Sequence, residues 1–335
     1  MPQIEIMYDI FANHLQLLRS NDIIDVEGEY ICPICLKPFA KKDLKSLSLE
    51  DAPQESLGGK KIAITCKSCN NRCGYKIDVH LVNAIDIKEQ QDYVPGSHRN
   101  IRAVHEETTI NAKLNVHKDN MELIVSEKNN NPLFVKSYVS GIKPNSIITI
   151  KDKSVKAQRV EYSTALLKNA YIILFSRFGY TFFWDKFYDI LRQQILDPTS
   201  ESIPFLWHLE SLDLDDGIYF SEDYDSFCVI FTLKRLEKHQ FCVFIPTPRI
   251  SFDQLAAKLE AYEPGSPIKF ICKVETDYLN NILNIKWLRD WVYAKRNIPL
   301  NITGVGAEII IKYYLFCGDI RNNPSLRLRY LRLIH

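Results

Sequence analysis

Hydrophobic positions in the first twenty residues recur at helical spacing. Ile10, Leu15, Leu17 and Leu18 supply an apolar side and predict a short N-terminal helix. From residue 108 to 150 the pattern shortens to strand-like runs at 110–116, 121–125, 133–139 and 147–150. Turn clusters such as Lys118-Asp119-Asn120 and Lys143-Pro144-Asn145 separate these runs, so a small antiparallel sheet is expected there, in a scaffolding role. Ahead of it, Gln90-Gln91-Asp92 and Val94-Pro95-Gly96-Ser97-His98-Arg99 are polar and punctuated, and read as a linker. Helical spacing returns at Leu167, Tyr171, Leu174 and Phe178, and 184–195 repeats it after Gly179, which predicts two packed helices. Further on, 227–233 and 241–245 alternate around 235–240 like a hairpin, and 268–274 and 309–316 add strands. Residues 252–262 fit a helix capped by Ser251 and stopped before Pro264-Gly265. The pattern divides the chain into an N-terminal helix (1–25), a cysteine-bearing module (26–85), a linker (86–107), a sheet with a helical pair (108–200) and an α+β C-terminal domain (201–335).

Cysteine spacing adds chemistry to the second segment. Cys32-Pro33-Ile34-Cys35 and Cys66-Lys67-Ser68-Cys69 are two CxxC knuckles thirty residues apart. Each offers two thiolates from one tight turn, and two such turns complete the tetrahedral shell that structural zinc prefers. A disulfide pair or a redox CxxC are the competing readings, and the matched second pair fits neither well. A shell closed by four thiolates has no open position, so such a metal holds the fold and does no chemistry itself. Cys73 reads as a small buried apolar residue.

Around the knuckles the order runs Ser48-Leu49-Glu50-Asp51-Ala52-Pro53, Glu55-Ser56-Leu57-Gly58-Gly59-Lys60, Thr65-Cys66-Lys67-Ser68-Cys69-Asn70-Asn71-Arg72 and Ile77-Asp78. This arrangement resembles the zinc-stapled branch of the HNH endonucleases over about residues 30–82. The resemblance implies a small zinc-bound ββα-metal module, followed here by antiparallel-sheet and helical segments and the α+β C-terminal domain. It also implies a metal-dependent nuclease, of a kind used in restriction or defence, cutting phosphodiester bonds with Mg²⁺ or Mn²⁺. On that basis Glu50, Asp51, Asn70, Asp78 and His80 are the candidate catalytic positions. A weaker similarity extends to Ala165–Tyr171, Phe178-Gly179-Tyr180 and 191–195, which resemble a helical segment that trails such modules.

Asp51 stands where the family carries the histidine that activates water. An aspartate with an ordinary pKa of about 4 is a poor base at neutral pH. Two outcomes stay open: Asp51 joins Glu50 in holding Mg²⁺ or Mn²⁺, or the module keeps its shape and has lost catalysis. In the second case the chain is a nucleic-acid recognition or complex-assembly protein, with the C-terminal domain as its protein-binding part.

Charge narrows the partner. Net charge is only +1 over 335 residues, so a surface for nucleic acid, read here as DNA, must be local. Lys60, Lys61, Lys67, Arg72 and Lys76 form such a stretch, with no acid between Ser56 and Ile77. Lys286, Arg289, Lys295 and Arg296 among Trp287, Trp291 and Tyr293, and the C-terminal Arg321, Arg327, Arg329 and Arg332, are two further basic groups. Residues 193–233 carry nine carboxylates and no Lys or Arg, a surface that repels phosphate. At 46% hydrophobic and 25% charged, the chain has the composition of a globular protein. Lys168, Arg177 and Asp185 interrupt its most apolar stretch, so no membrane span is expected. The start lacks a basic n-region, and the thiolates need a reducing compartment, which together point to the cytoplasm.

Overall fold

The computed structural model describes residues 1–152, 159–181, 183–200, 208–210, 215–221, 223–262, 267–270, 272–273, 278–294 and 307–310. It has the expected mixture of helices and antiparallel sheets. Helix α1, Gln3–Arg19, turns Tyr8, Phe11, Leu15 and Leu18 inward, a spacing of three and four that places them on one face. Strands β1 (Tyr30–Ile31) and β2 (Pro38–Phe39) then bracket the first knuckle as an antiparallel pair. Strands β3 (Leu47–Asp51) and β4 (Lys61–Cys66) form a second antiparallel pair, and the chain passes from β4 into helix α2 (Lys67–Cys73) without a loop. The Leu57-Gly58-Gly59 turn needs its glycines. Gly58 sits at a φ of +81°, and a Cβ on Gly59 would lie 1.6 Å from the carbonyl oxygen of Pro53.

Helix α3 (Val79–Gln91) follows, and then strand β5 (His98–His105), so most of the expected linker carries regular structure. The second half of the segment read as a linker is an open-faced strand: Ile101 and Ala103 point to the core, while Asn100 and Arg102 are exposed. Strands β6 (Thr108–Val116) and β7 (Met121–Val125) continue the sheet. The run at 133–139, read as a strand, is instead helix α4 (Pro132–Gly141). Its start chemistry overrides the β-like composition: the Asn131 side chain accepts from the Leu133 amide, and Pro132 occupies the first turn. Strand β8 (Thr149–Asp152) completes a sheet of order β7-β6-β5-β8, with Tyr138 of α4 packed on one face beside Ile101, Ile110 and Leu114.

Helix α5 (Arg159–Phe178) is buried nearly all round, and its buried positions include the polar Ser163, Thr164, Lys168 and Asn169 as well as its apolar residues. Helix α6 (Asp189–Leu196) is the second member of the expected helical pair. Strands β9 (His208–Glu210), β10 (Gly217–Ser221), β11 (Ser226–Lys234) and β12 (Lys238–Pro246) come next. Helix α7 (Phe252–Glu260) starts at the expected Ser251 cap, which the structure extends to a capping box, Ser251 and Gln254 each satisfying the other's backbone amide. Strands β13 (Pro267–Phe270) and β14 (Cys272–Lys273) precede helix α8 (Ile282–Ala294), and β15 (Ala307–Ile310) pairs with β13. Together β14-β10-β11-β12-β9 make a five-stranded antiparallel sheet. The strand expected at 309–316 lies outside the described residues beyond Ile310, as does the arginine group at 321–332.

A single apolar core runs from α1 through the knuckles and the β3–β4 pair to α5, the inner face of β10–β12 and α8. Tyr171, Phe175 and Phe178 of α5 are its centre, each worth about 1.5–3 kcal/mol of burial. A carboxylate reinforces the join on the other side. Glu89 of α3, fully buried, accepts from the amides of Leu236 and Glu237 at 3.0 Å each in the β11–β12 turn, and its Oε1 lies 3.2 Å from His239 Nε2. Nearby, Arg235 pairs with Asp86 at 2.9 Å. Glu89→Ala should cost about 3 kcal/mol, because it strips two part-buried amides of a charged acceptor. Thermal unfolding of the two proteins side by side checks this, and an unchanged midpoint would show the turn held by packing alone.

Candidate metal centre and its neighbouring charges

The knuckles meet because β1–β2 and β4 converge on α5. Tyr171 donates its hydroxyl to the Pro33 carbonyl at 2.6 Å, and Tyr180 both accepts from the Ile31 amide and donates to the Ile31 carbonyl at 2.6 Å. From the other side Tyr30 donates to the Ile64 carbonyl. These four bonds position one knuckle against the other. The Sγ atoms of Cys32, Cys35, Cys66 and Cys69 all lie within 4.8 Å of one another. Four sulfurs around one zinc at 2.3 Å stand about 3.8 Å apart, and Cys35 and Cys66 are 3.7 Å apart. The donor set therefore suits a four-thiolate ion such as zinc.

The thiols perturb one another as a shared-charge cluster does. Hydrogen bonding from the Cys32 thiol pulls Cys35 down to about 7 and Cys66 further below the ordinary thiol value. Cys32 and Cys69, the donors of that network, are pushed up. Backbone amides reach two of the sulfurs as well: the Cys66 N–H donates to Cys32 Sγ and the Cys69 N–H to Cys66 Sγ, each at 3.4 Å. Cys73 is fully buried outside this set, and burial raises its thiol to about 12, which keeps it protonated and inert.

Two of the candidate carboxylates meet through a residue that the sequence shows only as an interruption of an apolar stretch. Lys168, on α5, places its ammonium 2.6 Å from Glu50 Oε1 and 2.7 Å from Asp78 Oδ2. Thr65 donates to the other oxygen of Glu50 at 2.7 Å, and Gln54 donates to the other oxygen of Asp78 at 2.7 Å. Lys168 is 1% exposed, Glu50 2% and Asp78 9%, so this charge group is sealed. Burial alone would lower the lysine pKa, but attraction from Glu50 and then Asp78 more than offsets it and holds the ammonium above its ordinary value. The sequence did carry one signal. A lone lysine inside the buried run from Tyr162 to Ile172 needs a carboxylate partner.

The other candidates stand apart from that group. Asn70 of α2 donates to Ser48 Oγ at 2.9 Å and to the Leu49 carbonyl at 3.1 Å, tying the helix to β3. His80 sits two residues beyond Asp78 where α3 begins, and side chains two apart on a helix do not face each other. It is half-buried. Asp51 ends β3, where the register with β4 shifts. Its Oδ1 and the Oε1 of Gln54 are buried acceptors that have no hydrogen-bond donor among the described residues.

Among the basic residues, Lys60, Lys61 and Lys67 are exposed, while Arg72 and Lys76 are half-buried. Lys61 is 3.9 Å from Glu55, a loose surface pair. Lys60 also borders a cleft of about 590 Å³ that Pro53, Gly59, Arg177 and Asp216 help to line. Arg177, exposed at the end of α5, was not foreseen as part of a basic surface, since nothing in the sequence brings it to the Gly58-Gly59 turn. On α8, Arg289 is committed elsewhere: it donates to the Thr181 carbonyl and lies over the Tyr293 ring at 5.1 Å. No described helix is long and apolar enough to cross a membrane. Comparison of the chain with protein-family models, with curated proteins and with solved structures found no match.

Proposed function

We propose that the chain is a zinc-stapled, HNH-like nucleic-acid-binding protein whose carboxylate centre is closed, so that it recognises DNA and does not cut it. The observation that carries this reading is the Lys168 ammonium seated between Glu50 and Asp78. A divalent ion in a nuclease of this type needs carboxylates that water and phosphate can reach. Here an internal cation already neutralises them, at 2.6–2.7 Å and sealed from solvent. Lys60, Lys61 and Lys67 remain exposed on the same module, which also carries the half-buried Arg72, so that these cations can hold phosphates. The zinc has the role of staple: it fixes β1–β2 against β4 and α2, and the basic side chains with them.

Purified chain incubated with Mg²⁺ or Mn²⁺ should leave duplex and single-stranded DNA intact while binding the duplex. Reversing Lys60, Lys61 and Arg72 to Glu should weaken binding at every sequence and flatten its salt dependence, by about 0.9 in the log–log slope for each phosphate no longer neutralised. Metal-dependent cleavage by the unmodified protein would overturn the closed-centre reading. A second reading then takes its place, favoured by the acceptors Asp51 Oδ1 and Gln54 Oε1, which lack a donor among the described residues. Buried acceptors without donors are the chemistry of a cation site, and in that case Asp51→Asn should abolish cleavage with zinc retained.

A further inference from the structure

The sheet β7-β6-β5-β8 has one face covered by α4 and one face open, and the open face is basic. Alternation along β5 sets His98, Asn100 and Arg102 outward, opposite Asn115, Lys113 and Asn111 of β6. On the outer flank Arg102 is paired directly with Lys151 of β8. Asn100, Arg102, Lys113 and Lys151 are all exposed. Directly opposed side chains lie about 5 Å apart at Cβ, and like charges in that position destabilise a sheet. An Arg–Lys pair that no described residue compensates is therefore a cost to the fold on an open face, and a polyanion laid across it would relieve that cost. Against these cations the same face carries, among the described residues, one carboxylate, Glu122 of β7, which already engages Asn115 at 3.1 Å and His117 at 3.5 Å. A cleft of about 570 Å³ beside Lys113, lined by Asn100, Asn111, Ile124 and Asn129, adds a concave edge with amide side chains.

From the opposed Arg102 and Lys151, with Lys113 one row away, we infer that this open sheet face is a second DNA-binding surface that tracks the phosphates of a duplex. The inference rests on the DNA-binding reading above and extends it to a part of the chain that the zinc module does not contain. Duplex is the fitting form because the exposed residues of this face include no Phe, Tyr or Trp on which unpaired bases could stack. Binding of phosphate through Arg and Lys is independent of sequence and steep in salt.

The test uses full-length, zinc-loaded protein and a fluorescent duplex, titrated between 50 and 200 mM salt. Arg102→Gln, Lys113→Gln and Lys151→Gln together should weaken binding at least tenfold at the lower salt and reduce the log–log slope by about 2–3, at about 0.9 per phosphate. Zinc content should stay at the wild-type level, and the thermal midpoint should hold or rise, because the Arg–Lys repulsion is gone. Arg102→Gln alone, at an exposed position, gives the same direction at about a third of the slope change if the triple variant folds poorly. Unchanged affinity and slope in these variants, with wild type still binding and the Lys60/Lys61/Arg72 reversal still weakening it, overturns the sheet surface and leaves the zinc-module surface standing. Absence of duplex binding by wild type overturns both. Tighter binding of single-stranded than of duplex DNA overturns the duplex assignment.

Discussion

Cys66→Ser should release the metal and unfold the segment from residue 30 to 82 before the rest of the chain. Cys66 supplies one of the four clustered thiols, caps α2 through the Cys69 amide and, paired with Leu47 of β3, ends the strand that carries Ala63 into the core. Structural zinc sites contribute about 10–16 kcal/mol of binding that is also folding free energy. A folded chain has only about 5–15 kcal/mol of net stability to lose. Hydrogen exchange should show protection vanish first in β1–β4 and α2, and then in α1, whose Phe11 stacks on Phe175 of α5 at 4.8 Å between ring centres. Elemental analysis of wild type purified without chelator should give one zinc per chain. A chain without zinc that keeps its protection would remove the metal from this account altogether.

Lys168→Met should destabilise the protein by about 3–5 kcal/mol, because it leaves Glu50 and Asp78 buried with no cation between them. Most of that loss should return when Glu50→Gln and Asp78→Asn are added, since the neutral amides keep Thr65 and Gln54 as partners. Denaturant unfolding of the single and triple variants measures the difference. A Lys168→Met protein as stable as wild type would mean that the group is wet and open, and would reopen the site to metal. The same lysine sets a pH expectation. Its pKa is higher folded than unfolded, so its contribution is complete below the unfolded value of about 10.4 and is lost only as pH climbs through the folded value. Stability owed to this group should therefore be flat between about pH 7 and 9.

Local signals carried much of the architecture, and they failed where tertiary partners decide. The knuckle spacing, the Ser251 cap and the alternation of 227–233 and 241–245 each specify their own neighbourhood, and the corresponding cluster, helix and hairpin are present. Residues 133–139 are β-like in composition, yet Asn131 and Pro132 start a helix that covers Tyr138 against the sheet. There, capping geometry and a docking surface outweigh a weak strand propensity. The carboxylates show the same division. Glu50 and Asp78 could be picked out as acids with a role, but their partner lies 90 residues further on from Asp78, and only the fold brings it near. Periodicity placed Lys168 as an interruption in an apolar helix, which is a statement about the helix and says nothing of what the lysine reaches.

The bonds from α5 and the turn just after it back to the first knuckle have a consequence for how the protein is made. Tyr171 meets Pro33 across 138 residues, and Tyr180 meets Ile31 across 149. At about 5–20 residues per second, a ribosome needs roughly 7–30 s to pass from one partner to the other. All four cysteines have emerged by residue 69, so the thiols can capture their metal well before the helix that pins them exists. During synthesis the nascent chain would carry a loaded but unanchored knuckle, its Tyr30 and Ile31 side chains still without the core that later buries them. Metal capture and burial of the knuckle's apolar side chains would thus fall at separate moments of synthesis, the first early and the second only once α5 arrives.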